Sequence, residues 1–102
     1  MAKGYWIGHV DVSDVDAYQQ YVQANAAAFS RYGARFLVRG GPFETPEGTA
    51  RSRNVVIEFP DYQAALDCYD SPEYRHAMSF RENASTADIV IIEGYDGPQP
   101  GD

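Results

Sequence analysis

The stretch that decides the fold is Arg53–Tyr95, "RNVVIEFPDYQAALDCYDSPEYRHAMSFRENASTADIVIIEGY". It opens on a β-branched and apolar run, Arg53–Phe59, which reads as a strand. Pro60 ends that strand, and Asp61 is placed to cap a helix through "YQAALDCYD". Ser71-Pro72-Glu73 then supplies a serine cap, a proline at the first helical position and an acid in the first turn. A proline inside a continuous helix would clash with the preceding turn and remove an N–H donor. The chain is therefore expected to make two short helices meeting at an angle. Ala87–Tyr95 is apolar and β-branched again and forms a closing strand.

Upstream, Gly4–Val10 carries aromatic and β-branched residues and reads as the first strand. Ser13 is the expected N-cap of a helix, with Asp14 and Asp16 in its first turn, where the helix dipole favours negative charge. Val15, Tyr18, Val22 and Phe29 recur near helical spacing as far as about Tyr32, and Gly33 can take the left-handed conformation that ends a helix. Ala34–Gly40 is a second strand, stopped by Gly40, Gly41 and Pro42. The following segment, "PFETPEGTARS" (42–52), reads as an extended hairpin connection. The order is strand, helix, strand, strand, broken helix, strand. That is an α+β, ferredoxin-like βαββαβ sandwich with an antiparallel four-stranded sheet and its helices on one face. A single domain over 1–102 is expected, with its core in 4–95 and a polar tail at 96–102.

The strands do not alternate as a sheet with one wet face should. The last reads "IVII", the third "VVI", and the first places Tyr5 and Ile7 on one side with Trp6 and Val10 on the other. Four strands at ~4.8 Å make a sheet roughly 19 Å wide, and two helices about 10 Å thick cover one face of it. Strands of about six residues would leave roughly 400 Å² of apolar surface in plan, at the limit for a soluble monomer. The expectation is a homodimer in which each protomer's sheet covers the other's.

Composition narrows the classes of partner. The chain has 102 residues, 44% hydrophobic and 14% aromatic, with a formal net charge of −7. That content argues against disorder, and the charge against nucleic acid and against anionic membranes. Cys68 is the only cysteine, and no apolar run approaches the length of a membrane span or a secretory leader, so a reducing cytoplasm is the expected compartment. The two histidines and one cysteine fit no structural zinc spacing, so neither metal nor other cofactor is expected.

"YGARFLVRGG", "RNVVIEFPD" and "YDSPEYRHAMSFRENASTADIVIIEG", in that order, resemble the DUF1330 family, small bacterial proteins of the dimeric α+β barrel group. The resemblance runs from Gly4 to Tyr95. Its most specific part is Ser71-Pro72-Glu73-Tyr74 followed by Arg81 and by Glu93-Gly94, with Glu58-Phe59-Pro60 also matching. The chain departs from the pattern at Cys68-Tyr69, where an aromatic pair is usual, and in its hairpin at 42–52. The resemblance implies the barrel dimer. It also implies kinship with a group that includes small monooxygenases, isomerases and haem-degrading proteins. Hence the expectation is a homodimer with a pocket for a small anionic or aromatic metabolite, acting as a cofactor-independent oxygenase or isomerase. The alternatives are a non-catalytic small-molecule-binding dimer and a purely structural self-associating module.

Tyr74, Met78 and Arg81 share one helix face. If that face meets the sheet, Arg81 is buried and requires a carboxylate or a ligand anion. Glu58 is the expected carboxylate, either as a structural ion pair or as part of an anion-binding pocket. Candidate catalytic residues are accordingly Tyr74, His76 and Glu58, and candidate ligand-binding residues are Arg81, Arg39 and Tyr69. Arg39 alternates with Leu37 and Arg35 on the second strand and adjoins Gly40-Gly41, whose N–H groups are free to meet an oxyanion. His9, on the Tyr5 face, is a weaker candidate for base chemistry than for a solvated surface role. Cys68 is expected to be packed rather than nucleophilic.

Overall fold

A computed structural model describes residues 1–102. The elements run β1 (Gly4–Val12), α1 (Val15–Arg31), β2 (Arg35–Arg39), β3 (Arg53–Phe59), α2 (Tyr62–Asp70), α3 (Pro72–Arg81) and β4 (Ser85–Glu93). The strands form one antiparallel sheet in the order β2-β3-β1-β4, which is the ferredoxin-like arrangement read from the element order. β1 lies between β3 and β4, with Trp6 opposite Ile57 on one side and Ile91 on the other. No helix is long and apolar enough to cross a membrane.

Local chemistry sets the helix ends. Asp14, not Ser13, caps α1, its carboxylate accepting from the Ala17 N–H at 3.1 Å, while the Ser13 N–H donates to Ala84 C=O. At the other end Gly33 has φ 70°, and the N–H groups of Gly33 and Ala34 donate to the carbonyls of Ser30 and Phe29. That pair of bonds is the Schellman ending, which needs a left-handed residue where glycine stands. Asp61 caps α2 through the Ala64 N–H at 2.7 Å, and Ser71 caps α3 through the Tyr74 N–H at 3.1 Å. Ser71 also donates its hydroxyl to Cys68 C=O, so one side chain closes α2 and opens α3 across the Pro72 break.

The core lies between the three helices and one sheet face. Trp6 is its centre: its ring packs within 5.3 Å, centroid to centroid, of Phe29, Phe59 and Tyr74. Its indole N–H donates to Ala65 C=O at 2.9 Å, which satisfies the one polar atom the ring buries. Val10, Ile57, Ala65, Cys68 and Ala77 belong to the same cluster, with Tyr18, Tyr21 and Ala28 from α1. Burial pushes the Cys68 thiol up to about 12, with Glu73 adding to the effect, so it is an inert packed thiol at neutral pH.

The outer face carries Tyr5, Ile7, Val56, Val90 and Ile92, with Val90 51% and Ile92 47% exposed. No helix covers it. The hairpin connection touches one end of this face through Arg51, which bridges Asp11 at 2.9 Å and Asp88 at 2.8 Å.

Strand ends differ from expectation by one or two residues, except β3, which matches. The larger departure is in β2. Arg35 pairs with Glu58 and Phe36 with Ile57, but Val38 pairs with Val56, so Leu37 is an extra residue in a β-bulge. An extra residue reverses which face the later side chains reach. Arg35 stays on the outer face, whereas Arg39 moves to the helix face instead of alternating with Leu37 and Arg35 as expected.

Candidate functional site

α1 and α3 bring a row of phenols and guanidiniums to the helix face of the sheet. Tyr18, Tyr21, Asn25 and Phe29 are spaced to share one side of α1, and all four are buried. Tyr74 and Arg81 stand two turns apart on α3 and face that row. The Tyr74 and Tyr21 hydroxyls are 2.9 Å apart, and Arg81 Nη2 donates to the Tyr74 hydroxyl at 3.3 Å. The Arg81 guanidinium lies 5.3 Å from the centre of the Tyr21 ring, within cation–π range.

No carboxylate answers this cation. Arg31, Arg51 and Arg75 each hold an acid, whereas Arg81 holds only phenols and its buried Nε–H has no partner at all. The phenols are kept neutral. Burial raises the Tyr21 hydroxyl well above its ordinary value, with Tyr74 adding to it. Burial likewise raises Tyr74, although Arg81 pulls it back part of the way. Both are therefore proton donors at neutral pH, aimed beside a fixed positive charge.

The cleft beside them is lined by Trp6, Val10, Tyr18, Tyr21, Ile57 and Arg81 and has a volume of about 30 Å³. Room for one or two water molecules is all it offers with the side chains in these positions. Tyr18 and Tyr21 are shared with a second hollow of about 30 Å³ that reaches Asn25, Arg39 and Arg53. A larger hollow, about 370 Å³, lies on the outer sheet face among His9, Asp11, Thr49, Arg51 and Asp88. Its polar groups already engage one another: Arg51 bridges both aspartates, and His9 Nδ1 meets Asn54 Oδ1 at 2.6 Å. Size favours the outer hollow, but the unanswered charge is in the cleft, and chemistry decides for the cleft.

Of the residues singled out from sequence, Tyr74, Arg81 and Tyr69 come together, Tyr69 stacking 5.5 Å from Tyr74 with its hydroxyl directed at Met78 Sδ. Arg39 reaches the far hollow, stacked 4.1 Å over Phe36. Glu58 does not join them. It is registered with Tyr5 and Arg35 on the outer face, where it accepts from the Tyr5 hydroxyl at 3.3 Å, so the expected Arg81–Glu58 pair does not form. Glu58 shares the Val56 side of β3, and that side faces away from the helices. His76 is exposed on the far side of α3, edge-on to Phe80 at 5.3 Å. The Gly40 N–H is taken by Asn54 C=O at 2.9 Å and is not free for an oxyanion. Sequence reading missed Tyr21 and Arg53. The spacing of Tyr18, Tyr21 and Asn25 was the available signal for the first.

The family model for a domain of unknown function, DUF1330, matches residues 3–95. The chain belongs to the DUF1330 family. No curated protein matches this DUF1330 chain. Among solved structures it is similar to a protein of unknown function from Rhodopseudomonas palustris, with TM-score 0.74 and 16% identity over 94% of this chain and 85% of that one. It is also similar to SnoaB, a cofactor-independent oxygenase from Streptomyces nogalater, with TM-score 0.62 and 14% identity over 97% and 96% of the two chains. A dimeric ferredoxin-like protein of unknown function from Thermobifida fusca shares TM-score 0.57 and 15% identity over 90% and 89%. At such identities the likeness establishes the DUF1330 chain's fold, not its chemistry.

Proposed function

We propose that this DUF1330 protein takes a small aromatic anion into the cleft between α1, α3 and the sheet, and oxidises it as a cofactor-independent oxygenase. The observation that carries the reading is the Arg81 guanidinium, which is partly buried, has no carboxylate and is flanked by two protonated phenols. A carbanion or phenolate held there is the form of an organic molecule that reduces O₂ directly. Proton loss, addition of O₂ and proton uptake give a hydroperoxide, which collapses to a carbonyl and water, so that R₂CH₂ + O₂ gives R₂C=O + H₂O. Arg81 stabilises the anion, and Tyr74 or Tyr21 returns the proton to the peroxide. Neither His76 nor Glu58 reaches the cleft, so the substrate must be acidic enough to arrive ionised. The fold shared with SnoaB, itself a cofactor-independent oxygenase, supports the reading by analogy.

Two copies are proposed to pair through their outer sheet faces. The uncovered Ile7, Val56, Val90 and Ile92 support this, as does the dimeric state of the Thermobifida fusca relative.

The absence of a base in the cleft favours a second reading, a non-catalytic binding protein using the same Arg81 site. Oxygen-electrode measurements separate the two. A panel of acidic aromatic phenols and diketones is first ranked by thermal shift, and the binders are then assayed for O₂ uptake. Binding with O₂ uptake that Arg81→Gln abolishes supports the oxygenase. Binding without uptake leaves the binder, and no binding of any aromatic anion defeats both.

A further inference from the structure

Arg81 is not the only unanswered cation in this row. Two buried side-chain polar atoms in the chain lack a hydrogen-bond partner, and they are Nε of Arg81 and Nε of Arg53. They stand at opposite ends of one aromatic run: the Arg81 guanidinium is 5.3 Å from the Tyr21 ring centre, Tyr21 is 5.3 Å from Tyr18, and the Arg53 guanidinium is 5.8 Å from Tyr18. Neither has an acid, in a chain with 15 aspartates and glutamates to draw on. Leaving an N–H of a charged group unpaired is unfavourable, and having it at both ends of one aromatic row, in two adjoining hollows, calls for a common cause.

The surroundings of Arg53 fit a ligand end rather than a packing role. Arg53 lines the hollow it shares with Asn25 and Arg39, and also an outer hollow of about 240 Å³ bounded by Val12, Tyr18 and Val22. Gly40 makes room for it. A Cβ there would stand 2.7 Å from Arg53 Nη1, and the φ of 69° keeps that corner of the hairpin open to glycine. Tyr18 borders all three hollows and partitions the inner cleft from the outer one.

We infer that the ligand is a flat aromatic molecule with two acidic groups at opposite ends, one held by Arg81 and the other by Arg53 with Arg39 beside it. The inference rests on the anion-binding reading of the Arg81 cleft and adds the second head group. The ring of Tyr18 turns aside on binding, and the ligand's ring system takes the place between the two guanidiniums. Each acid group receives a charge-assisted hydrogen bond from a donor that the fold leaves free, and guanidinium matches carboxylate geometry.

Calorimetric titration of the full chain with naphthalene-2-carboxylate and naphthalene-2,6-dicarboxylate tests this. The expected result is that the dicarboxylate binds about tenfold or more tightly than the monocarboxylate, the effect of one added charge-assisted contact. Arg53→Gln should erase that preference while leaving monocarboxylate affinity within about twofold, and Tyr18→Ala should tighten the dicarboxylate by removing the partition. Equal affinity of the two acids for the unaltered protein overturns the second head group and leaves the Arg81 reading intact. An equal weakening of both acids by Arg53→Gln, with the fold confirmed by circular dichroism, overturns it as well. Binding of neither acid overturns this inference and the anion-binding reading together.

Discussion

Arg81 Nη2 lies 3.3 Å from the Tyr74 hydroxyl, and that phenol is the only hydrogen-bond partner the guanidinium has. A buried ion pair would lose several kcal/mol if one partner were removed, because the other would be stranded. Here no stranded carboxylate would remain. Arg81→Met is therefore expected to change unfolding free energy by less than about 1 kcal/mol, or to raise it, while eliminating anion-induced thermal stabilisation. Urea titration checks the first part. A loss above about 3 kcal/mol would show that Arg81 is structural.

Tyr74→Phe does the opposite. It keeps the ring against Trp6 but removes the hydroxyl that Arg81 Nη2 and the Tyr21 hydroxyl share as a partner. The expected cost is about 1–3 kcal/mol of stability, with weaker anion binding in addition. Retention of full stability would indicate that water fills the gap.

Stability should fall on the alkaline side. Cys68, Tyr21 and Tyr74 are all held above their ordinary values, chiefly by burial, so each favours the folded state in its protonated form. For groups whose folded pKa is raised, the stabilisation is complete below the unfolded value and is lost as pH climbs towards the folded one. For Cys68 that window runs from 9.0 to about 12. The urea midpoint should thus decline steadily across it, and Cys68 should react with Ellman's reagent at pH 8 only on unfolding. Rapid labelling of the native protein would contradict the packed thiol.

Ile92→Lys and Val90→Asp place charge on the outer face without touching the cleft. If two copies meet there, light scattering should show the mass falling from that of two chains to one as the charge is introduced. A single-chain mass before mutation would remove the pairing.

The backbone plan was legible because its signals are local. Pro72, the serine before it and the Asp61 cap act within one turn, and the β-branched runs of β3 and β4 mark the strands. At α1 two neighbours could cap, and Asp14 takes the place expected of Ser13. The dense polar stretch around Tyr74 divides as helix geometry requires, with Tyr74 and Arg81 turned inward and His76 and Arg75 outward. The site was less legible because it depends on which face of β3 meets the helices. Val56 and Ile57 are equally apolar, so the pattern could not decide, and Glu58 was assigned to the wrong side. Tyr21 reaches the cleft from α1 and Arg53 the adjoining hollow from β3, elements that no single sequence window joins.

The bulge at Leu37 lets a five-residue edge strand serve two compartments. Drawing Leu37 into the ladder as an ordinary paired residue would swing Arg39 out of the cleft mouth to the side Arg35 occupies. Deleting Leu37, by contrast, would keep the present pairing and leave Arg39 where it is. Whether this cleft presents a second cation at its rim thus depends on β2 setting one residue aside from its ladder, a matter of register rather than of side-chain identity.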